Sequence, residues 1–240
     1  MNDRGSNGSG SGTLVSFEGI DRCGKSTQLE RTRKYLVGHG VECIVAREPG
    51  GTAVGGVVRH LLKFPVEMYE VANEAFKDHP DFEAVPLDQM RCKESELFLF
   101  LASRSEYYDK VLAPALDNGL TVLSDRLGDS THAYQGGGLW HCDPRYVQAI
   151  RQLNDLALRG RWPDLTVIVD IPVQELRRRK GVLDDDEFER RKGGFFERTR
   201  DAYLSLAALE PERVVVVNGM QSVDEVFADV RTHIDRLYDI

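Results

Sequence analysis

The chain has 240 residues, of which 41% are hydrophobic and 29% charged, as expected for one globular domain with a sizeable core. Its formal net charge of −8 argues against a general nucleic-acid binder, which needs a surplus of Lys and Arg facing phosphate. No apolar run reaches membrane-spanning length, and the four cysteines show no zinc-type spacing. We therefore expect a cytoplasmic protein with reduced thiols that binds neither membrane nor nucleic acid.

The first twelve residues are mostly glycine, serine and polar residues and predict a flexible tail, which leaves residues 13–240 as one domain. After the tail, short β-branched runs alternate with stretches whose apolar residues recur at helical spacing. This alternation predicts an α/β fold with a parallel sheet covered by helices on both faces. The predicted strands are 14–18, 42–46, 121–124, 166–170 and 214–217. The predicted helices are 26–38, 54–63, 93–118, 144–158, 173–179, 194–208 and 222–238.

The first predicted strand leads into a glycine-rich loop that reads G-I-D-R-C-G-K-S. This is a complete phosphate-binding loop, and the strand before it and the helix after it are the context that the motif requires. In such a loop backbone N–H groups surround phosphate oxygens, Lys25 reaches the β- and γ-phosphates, and the Ser26 hydroxyl ligates Mg²⁺. The motif therefore predicts a nucleoside triphosphate site. Its residues are Gly19, Ile20, Asp21, Arg22, Cys23, Gly24, Lys25, Ser26 and Thr27.

Residues 65–90 interrupt the alternation, since they contain seven acidic residues and a single basic residue, Lys77. We interpret this segment as a surface insertion with one short helix around 66–76. Two interpretations of its role remain open. One is a solvated acidic face, and the other is a contribution to a pocket or to a partner contact.

Charged residues cluster at the predicted strand ends, where ligands bind in open α/β sheets. Asp125 ends an apolar strand, the usual setting of a carboxylate that orients Mg²⁺ and its water ligands. One triphosphate does not require all the arginines near these ends, so a second phosphorylated ligand would account for the surplus. Surface ion pairs are the alternative. The arginines are Arg22, Arg47, Arg59, Arg126 and the cluster at 177–179.

Phe100 and Arg104 are four residues apart on the predicted helix 93–118 and therefore share one helix face. Phe100 could stack on a planar base while Arg104 donates to a carbonyl oxygen at the edge of that base. Because four apolar residues surround Phe100 in the sequence, plain core packing is the other interpretation. The residue types alone favour core packing.

Taken in order, several segments resemble those of thymidylate kinase. They are F-E-G-I-D-R-C-G-K-S-T-Q, R-E-P-G-G-T, F-L-A-S-R, S-D-R, S-T-H-A-Y-Q-G-G-G and F-F-E-R-T-R-D-A-Y. The resemblance spans about residues 13–240, apart from the acidic segment. It implies a P-loop kinase fold with a five-stranded parallel sheet, usually as a homodimer. The implied activity is transfer of the γ-phosphoryl group of ATP to thymidine 5′-monophosphate (dTMP), with Mg²⁺.

The same resemblance assigns the acceptor phosphate to residues at the strand ends. Asp21 would lie near the sugar and the acceptor phosphate. Arg59 and Arg126 would hold that phosphate, with Arg47 nearby.

For the nucleoside, the resemblance implies that Phe100 stacks on thymine and that Arg104 donates to its O4 atom. Thr131 and Gln135 belong to the segment that approaches the base. Tyr134 would lie against the deoxyribose, where a 2′-hydroxyl would be crowded.

The basic segment from 177 to about 192, which contains Arg178, would be the lid over ATP. Family members place a catalytic arginine either in the phosphate loop or in the lid. The lid here contains D-D-D-E at 184–187, where a lid-arginine member has a basic residue, so Arg22 becomes the candidate. The segments R-E-P-G-G-T and A-Y-Q-G-G-G are instead of the kind usual in bacterial members, many of which use the lid arginine, so a lid arginine is the alternative. The predicted catalytic residues are Asp21, Arg22, Lys25 and Arg126.

Two other classes of function remain open on the sequence. A deoxynucleoside kinase would phosphorylate a sugar hydroxyl with the help of a carboxylate base, whereas the surplus arginines favour an acceptor that already carries phosphate. A nucleotide-dependent switch or binding protein would hydrolyse ATP slowly and need no acceptor. Within the kinase interpretation, uridine monophosphate is an alternative acceptor because uracil shares the O4 atom that Arg104 would contact.

Overall fold

The structure is a computed structural model that describes residues 12–89, 91–179, 187–188, 191 and 193–240. Its strands are β1 Leu14–Glu18, β2 Cys43–Arg47, β3 Thr121–Asp125, β4 Leu165–Asp170 and β5 Val214–Asn218. They form one parallel sheet in the order β2–β3–β1–β4–β5. Every predicted strand is confirmed to within one residue at each end, and so is the α/β class.

Helices flank the sheet, and each of the seven predicted helical stretches is confirmed to within one residue at each end. The α-helices are α1 Lys25–Gly38, α2 Ala53–Lys63, α3 Pro65–Phe76, α4 Lys93–Tyr107, α5 Ala113–Asp117, α6 Gly128–Thr131, α7 Pro144–Ala157, α8 Val173–Arg179, α9 Phe195–Leu209 and α10 Val223–Tyr238. Two π-helical segments, π1 Tyr108–Leu112 and π2 His132–Leu139, join α4 to α5 and extend α6. No helix in the described part of the chain is long and apolar enough to cross a membrane.

The core lies on both faces of the sheet, because consecutive strand residues point to opposite sides. On β1, Val15 and Phe17 belong to the larger apolar cluster, whereas Leu14 belongs to a second one. All three side chains are fully buried. A strand buried on both faces is what a parallel sheet covered by helices requires.

The helical run formed by α6 and π2 was missing from the prediction, because three consecutive glycines are unfavourable in a helix. Here they allow α9 to approach closely. A Cβ on Gly137 would lie 2.5 Å from the Cβ of Ala202, and a Cβ on Gly138 would lie 2.4 Å from the Phe195 ring. Tertiary packing against α9 therefore explains why Gly137 and Gly138 are glycine.

At the N-terminus one prediction needs correction. Residues 1–11 of the predicted tail lie outside the described residues, but Gly12 is part of the domain. Its buried N–H donates to the Leu116 carbonyl at 2.7 Å, and its own carbonyl accepts from Arg161 at 3.1 Å. These hydrogen bonds fix Gly12 to the end of α5 and to the loop before β4.

In the acidic segment, the short helix predicted around 66–76 is present as α3. The irregular residues after it are tied back by the Asn73 side chain. Its amide donates to the Val85 carbonyl at 2.9 Å and accepts from the Val85 N–H at 2.7 Å. The role of the segment remains open between the two interpretations.

Candidate active site

The phosphate loop connects β1 to α1 at the carboxyl edge of the sheet. Gly19, Arg22 and Gly24 have positive φ angles of 128°, 61° and 103°. A Cβ on Gly19 would lie 2.5 Å from the Val169 carbonyl oxygen, so glycine is required there. Arg22 adopts the left-handed region without being glycine, which costs roughly 1–2 kcal/mol. The loop geometry thus places a charged side chain at a strained position.

Lys25, the first residue of α1, is buried within this loop. Its ammonium donates to the carbonyl oxygens of Gly19 at 3.2 Å and Ile20 at 3.0 Å, and lies 3.7 Å from the Cys23 sulfur. These partners all belong to the phosphate loop, so the ammonium already lies where phosphate oxygens would bind. This arrangement suits its predicted contact with the phosphates.

Ser26 and Asp125, the two predicted Mg²⁺ ligands, meet at the end of β3. The Ser26 hydroxyl donates to Asp125 Oδ2 at 3.1 Å. No group of three or more His, Cys, Asp or Glu side chains among the described residues could hold a metal. One carboxylate and one hydroxyl nevertheless fit Mg²⁺, which takes oxygen ligands and fills its remaining positions with phosphate oxygens and water.

Arg126 connects the phosphate loop to the segment after β3. Its guanidinium donates to Asp21 Oδ1 at 2.7 Å, to the Tyr134 hydroxyl at 3.1 Å and to the Gly19 carbonyl at 3.1 Å. Burial opposes ionisation of the Asp21 carboxyl, but the charges of Arg126 and Lys25 outweigh it and lower the pKa to about 2. Asp21 is therefore an anion at neutral pH, held against a fixed cation.

Glu18, at the end of β1, anchors the residues around Arg126 and was missed by the sequence interpretation. Its fully buried carboxylate accepts from the Leu127 N–H at 2.7 Å, the Ser130 hydroxyl at 2.5 Å and the Tyr203 hydroxyl at 2.7 Å. Burial raises the pKa of Glu18, although the charge of Arg126 opposes the shift. The available signal was an acidic residue that ends an apolar strand directly before the phosphate loop.

A cleft opens beside the phosphate loop, between α2, α4 and the segment formed by α6 and π2. It encloses about 610 Å³, a volume that includes its open mouth. Eight of the nine residues predicted for the second ligand line it. They are Asp21, Arg59, Phe100, Arg104, Arg126, Thr131, Tyr134 and Gln135.

Arg47, the ninth of these residues, does not line the cleft. It lies at the end of β2, beside the turn that contains Gly50. A Cβ on Gly50 would lie 4.0 Å from Arg47 Nε and 3.7 Å from Arg59 Cδ. The Arg47 and Arg59 side chains therefore approach each other at this turn.

The model of the thymidylate kinase family matches residues 17–230. This chain belongs to that family.

Two curated relatives and a solved structure agree with this assignment. The chain is 41% identical over 227 residues to a thymidylate kinase of Nitratidesulfovibrio vulgaris, covering 90% of this chain and 93% of the relative. It is 36% identical over 228 residues to one of Thermosipho melanesiensis, covering 94% and 99%. The crystal structure of thymidylate kinase from Ehrlichia chaffeensis superposes with a TM-score of 0.63 at 28% identity, covering 94% of this chain and 99% of that one.

Phe100 occupies the position that the thymidylate kinase resemblance implies for a base-stacking residue. Leu97 and Leu101 fill an apolar cluster, whereas Phe100 is only partly buried and faces the cleft. Phe100 also packs against the small cluster of Val58, Leu62 and Phe188, so its ring combines core packing with a surface that lines the cleft.

Arg104 is almost completely buried at the inner end of the cleft, with 1% of its surface exposed. Its guanidinium donates to Glu48 at 2.9 Å, to the Thr131 hydroxyl at 2.7 Å, to Asn154, and to the Leu127 carbonyl at 3.3 Å. Protein acceptors thus hold this guanidinium in a fixed orientation. These four hydrogen bonds use four of the five N–H groups of the guanidinium. The predicted hydrogen bond to a base would have to come from the fifth.

Glu48, the main ionic partner of Arg104, also lines the cleft and was given no role by the sequence interpretation. Burial raises the pKa of its carboxyl to about 7, since the charge of Arg104 offsets only part of the desolvation. Its Oε1 atom has no hydrogen-bond partner within the described part of the chain. An acidic residue in a strand-end R-E-P-G-G-T segment was the signal that could have identified it.

The phosphate loop also contacts the first part of the predicted lid. Arg22 donates to the Arg179 carbonyl at 2.6 Å, and Arg179 donates to the Arg22 carbonyl at 3.0 Å. Arg178 instead projects outward, with its side chain 74% exposed and paired with Glu175. The three aspartates at 184–186 lie outside the described residues.

Proposed function

We propose that this chain transfers the γ-phosphoryl group of ATP to dTMP and yields the diphosphate. The observation that carries this proposal is a phosphate loop and an arginine-lined cleft that share one residue, Asp21. Arg59 and Arg126 line the cleft and suit an acceptor phosphate, and Phe100 provides an aromatic surface for a base. Two ligands placed in this way would meet above the phosphate loop.

The transfer itself needs no general base, because the acceptor phosphate is already an anion near neutral pH. One of its oxygens attacks the γ-phosphorus, the bond to the β–γ bridging oxygen breaks, and ADP leaves. The protein contributes position and charge: Arg126 holds the acceptor and Lys25 holds the β- and γ-phosphates. Mg²⁺ at Ser26 and Asp125 would neutralise charge on the phosphate oxygens.

Arg22 is our candidate for the arginine that stabilises the transition state. It lies within the phosphate loop, and its contact with Arg179 keeps its guanidinium beside the start of the lid. Arg178, the lid arginine that we predicted for ATP binding, points to solvent on α8. Such an arginine is worth roughly 10³–10⁵ in rate in related phosphoryl transfers.

A rival in which a sugar hydroxyl is the acceptor needs a carboxylate that takes up a proton. Asp21, with a pKa of about 2 and paired with Arg126, is a weak base, whereas Glu48, with a pKa of about 7, also lines the cleft. The arginines that line the cleft, Arg59 and Arg126, are what favour an acceptor that already carries phosphate.

An assay of ADP release tests the function directly. With Mg²⁺ and ATP, we expect release to require dTMP and to be slow without an acceptor. Phosphorylation of thymidine but not of dTMP would reject the proposal in favour of a deoxynucleoside kinase. Release that is independent of acceptor would favour a switch protein, and side-by-side turnover of dTMP and the uracil nucleotide measures base preference.

We also propose that the chain forms a homodimer, as the family resemblance implies, and that it acts in the cytoplasm. Support for the dimer comes from apolar side chains exposed on neighbouring helices: Val57 of α2, Val71 of α3 and Phe98 of α4 are 61%, 61% and 56% exposed. Light scattering during size-exclusion chromatography should give twice the chain mass. Phe98→Glu should yield monomers. Leu156→Glu, at a position of α7 that is 75% exposed, should leave the dimer intact. If the unmodified chain is a monomer, the dimer proposal is wrong.

A further inference from the structure

Two residues near the end of the predicted lid segment lie against the acceptor cleft. The Glu187 N–H donates to the Lys63 carbonyl at 3.1 Å, at the last residue of α2. Phe188 is 8% exposed, packs with Val58, Leu62 and Phe100, and lines the same cleft. A segment expected to cover ATP therefore also contributes an aromatic side chain to the other site.

We propose that Phe188 contacts the base of the acceptor nucleotide and forms the second aromatic wall of the base site, next to Phe100. This inference rests on the proposed function. The two ring centroids are 5.8 Å apart with an interplanar angle of 64°. A planar base that stacks on Phe100 consequently meets the Phe188 ring at the same end of the cleft.

The ring of Phe188 is held in place by two arginines. Arg191 and Arg91 lie 4.5 Å and 5.9 Å from its centroid. Arg191 forms an ion pair with Glu96, and Arg91 pairs with Glu187 at 2.9 Å. Arg191 is thus a positioning residue, which acts on the base site through Phe188.

The buried carboxylate of Glu96 connects Arg91 and Arg191, which contact Phe188, to the opposite wall of the cleft. Glu96 accepts a hydrogen bond from Gln135 Nε2 at 2.9 Å, as well as from Arg91 at 3.2 Å. Gln135 is one of the residues predicted to approach the base. Phe188 and Gln135 are therefore oriented by one shared anchor, Glu96.

The two arginines beside Phe188 are paired with Glu96 and Glu187, so they contribute little net positive charge, which suits an uncharged base next to the ring. Arg126, which follows β3, contacts the phosphate loop through Gly19 and Asp21, where an acceptor phosphate would lie. Arg59 and Lys63 of α2 also line the cleft, so the pairing of Arg91 and Arg191 describes only the immediate surroundings of Phe188.

The test is Phe188→Ala, with steady-state kinetics for both substrates and thermal melting with dTMP alone. We expect the KM for dTMP to rise roughly tenfold, while kcat and the KM for ATP change less than about twofold. The rise in melting temperature caused by dTMP should shrink in parallel. Phe188→Tyr should restore most of the affinity, and Arg191→Met should give a smaller increase in KM.

Phe227→Ala is the control, because Phe227, although more exposed than Phe188, also has an aromatic neighbour, Tyr35, and an arginine, Arg31, over its face. It lies on α10, away from the cleft, and should leave the KM for dTMP unchanged. If Phe188→Ala does not fold, Phe188→Leu keeps the apolar volume without the ring and should still raise this KM severalfold.

Two results would overturn the inference. An unchanged KM with a lower melting temperature would mean that Phe188 only packs, and a lower KM would mean that it competes with the base. An unmodified chain that shows neither dTMP-dependent ADP release nor stabilisation by dTMP would instead reject the proposed function. The two failures are therefore distinguishable.

Discussion

Asp21 and Arg126 form an ion pair of 2.7 Å where the phosphate loop meets the acceptor cleft, although 105 residues separate them in the chain. Their side chains are 35% and 15% exposed, so both can still reach a ligand. Because the pKa of Asp21 is about 2, the pair stays charged throughout the neutral range. It places one anion and one cation between the two proposed substrates.

Replacing Arg126 with Lys should impair this junction strongly. The guanidinium serves Asp21, Tyr134 and Gly19 at once, and a lysine cannot reproduce its planar set of donors. We expect kcat/KM for dTMP to fall roughly 10²-fold, which corresponds to about 2.7 kcal/mol. Arg145→Lys, an exposed arginine paired with Asp143, is the control and should behave like the unmodified chain. Equal activity of the two variants would contradict the assignment.

Arg22→Ala should lower kcat much more than it weakens substrate binding. A transition-state arginine contributes roughly 10³–10⁵ in rate, so single-turnover kinetics should show a loss in this range. The KM values for ATP and dTMP should change far less. Near-normal turnover would remove Arg22 from the mechanism and transfer the role to Arg178 or its neighbours in the lid.

Glu48 should give the folded chain an unusual pH dependence of stability. Burial raises the pKa of its carboxyl from 4.5 to about 7, so between these values the folded state keeps a proton that the unfolded chain releases. This contribution to stability is present at low pH and is lost as pH rises towards 7. Glu48→Gln has no such proton to lose.

The measurement is urea unfolding of both proteins at about pH 5 and pH 8. We compare the free energy of unfolding of Glu48→Gln with that of the unmodified chain at each pH. The variant minus the unmodified chain should be more positive at pH 8 than at pH 5 by up to roughly 3 kcal/mol. Taking the difference between the proteins cancels the titration of other groups. A difference that does not vary with pH would show that Glu48 titrates normally.

Ser26→Ala should weaken the binding of Mg²⁺ without changing the fold. The hydroxyl is one of the two ligands that we propose for the ion, so its loss should raise the Mg²⁺ concentration that gives half-maximal rate by about tenfold or more. Activity titrated with Mg²⁺ measures this shift, and EDTA should abolish turnover of the unmodified chain. Unchanged Mg²⁺ dependence would place the ion elsewhere.

Local sequence signals were sufficient for most of the fold. β-Branched runs marked the five strands, and apolar spacing marked the main helices, because both patterns follow from the period of the backbone. The run of α6 and π2 was missed because glycine disfavours a helix, and the reason for Gly137 and Gly138 is the close approach of α9. A close approach between distant helices leaves no periodic pattern in either of them.

For the site, the chain by itself determined the phosphate loop and the charged residues at the strand ends, since both are local features, whereas the roles of Phe100 and Arg104 followed from the family resemblance. Only the tertiary structure decided that Glu18, Glu48 and Glu96 hold these residues in place. Each acid is buried against a partner far away in sequence, such as Arg104 for Glu48 and Gln135 for Glu96. A carboxylate acquires its role from the groups that desolvate and neutralise it, and those groups are assembled only by the fold.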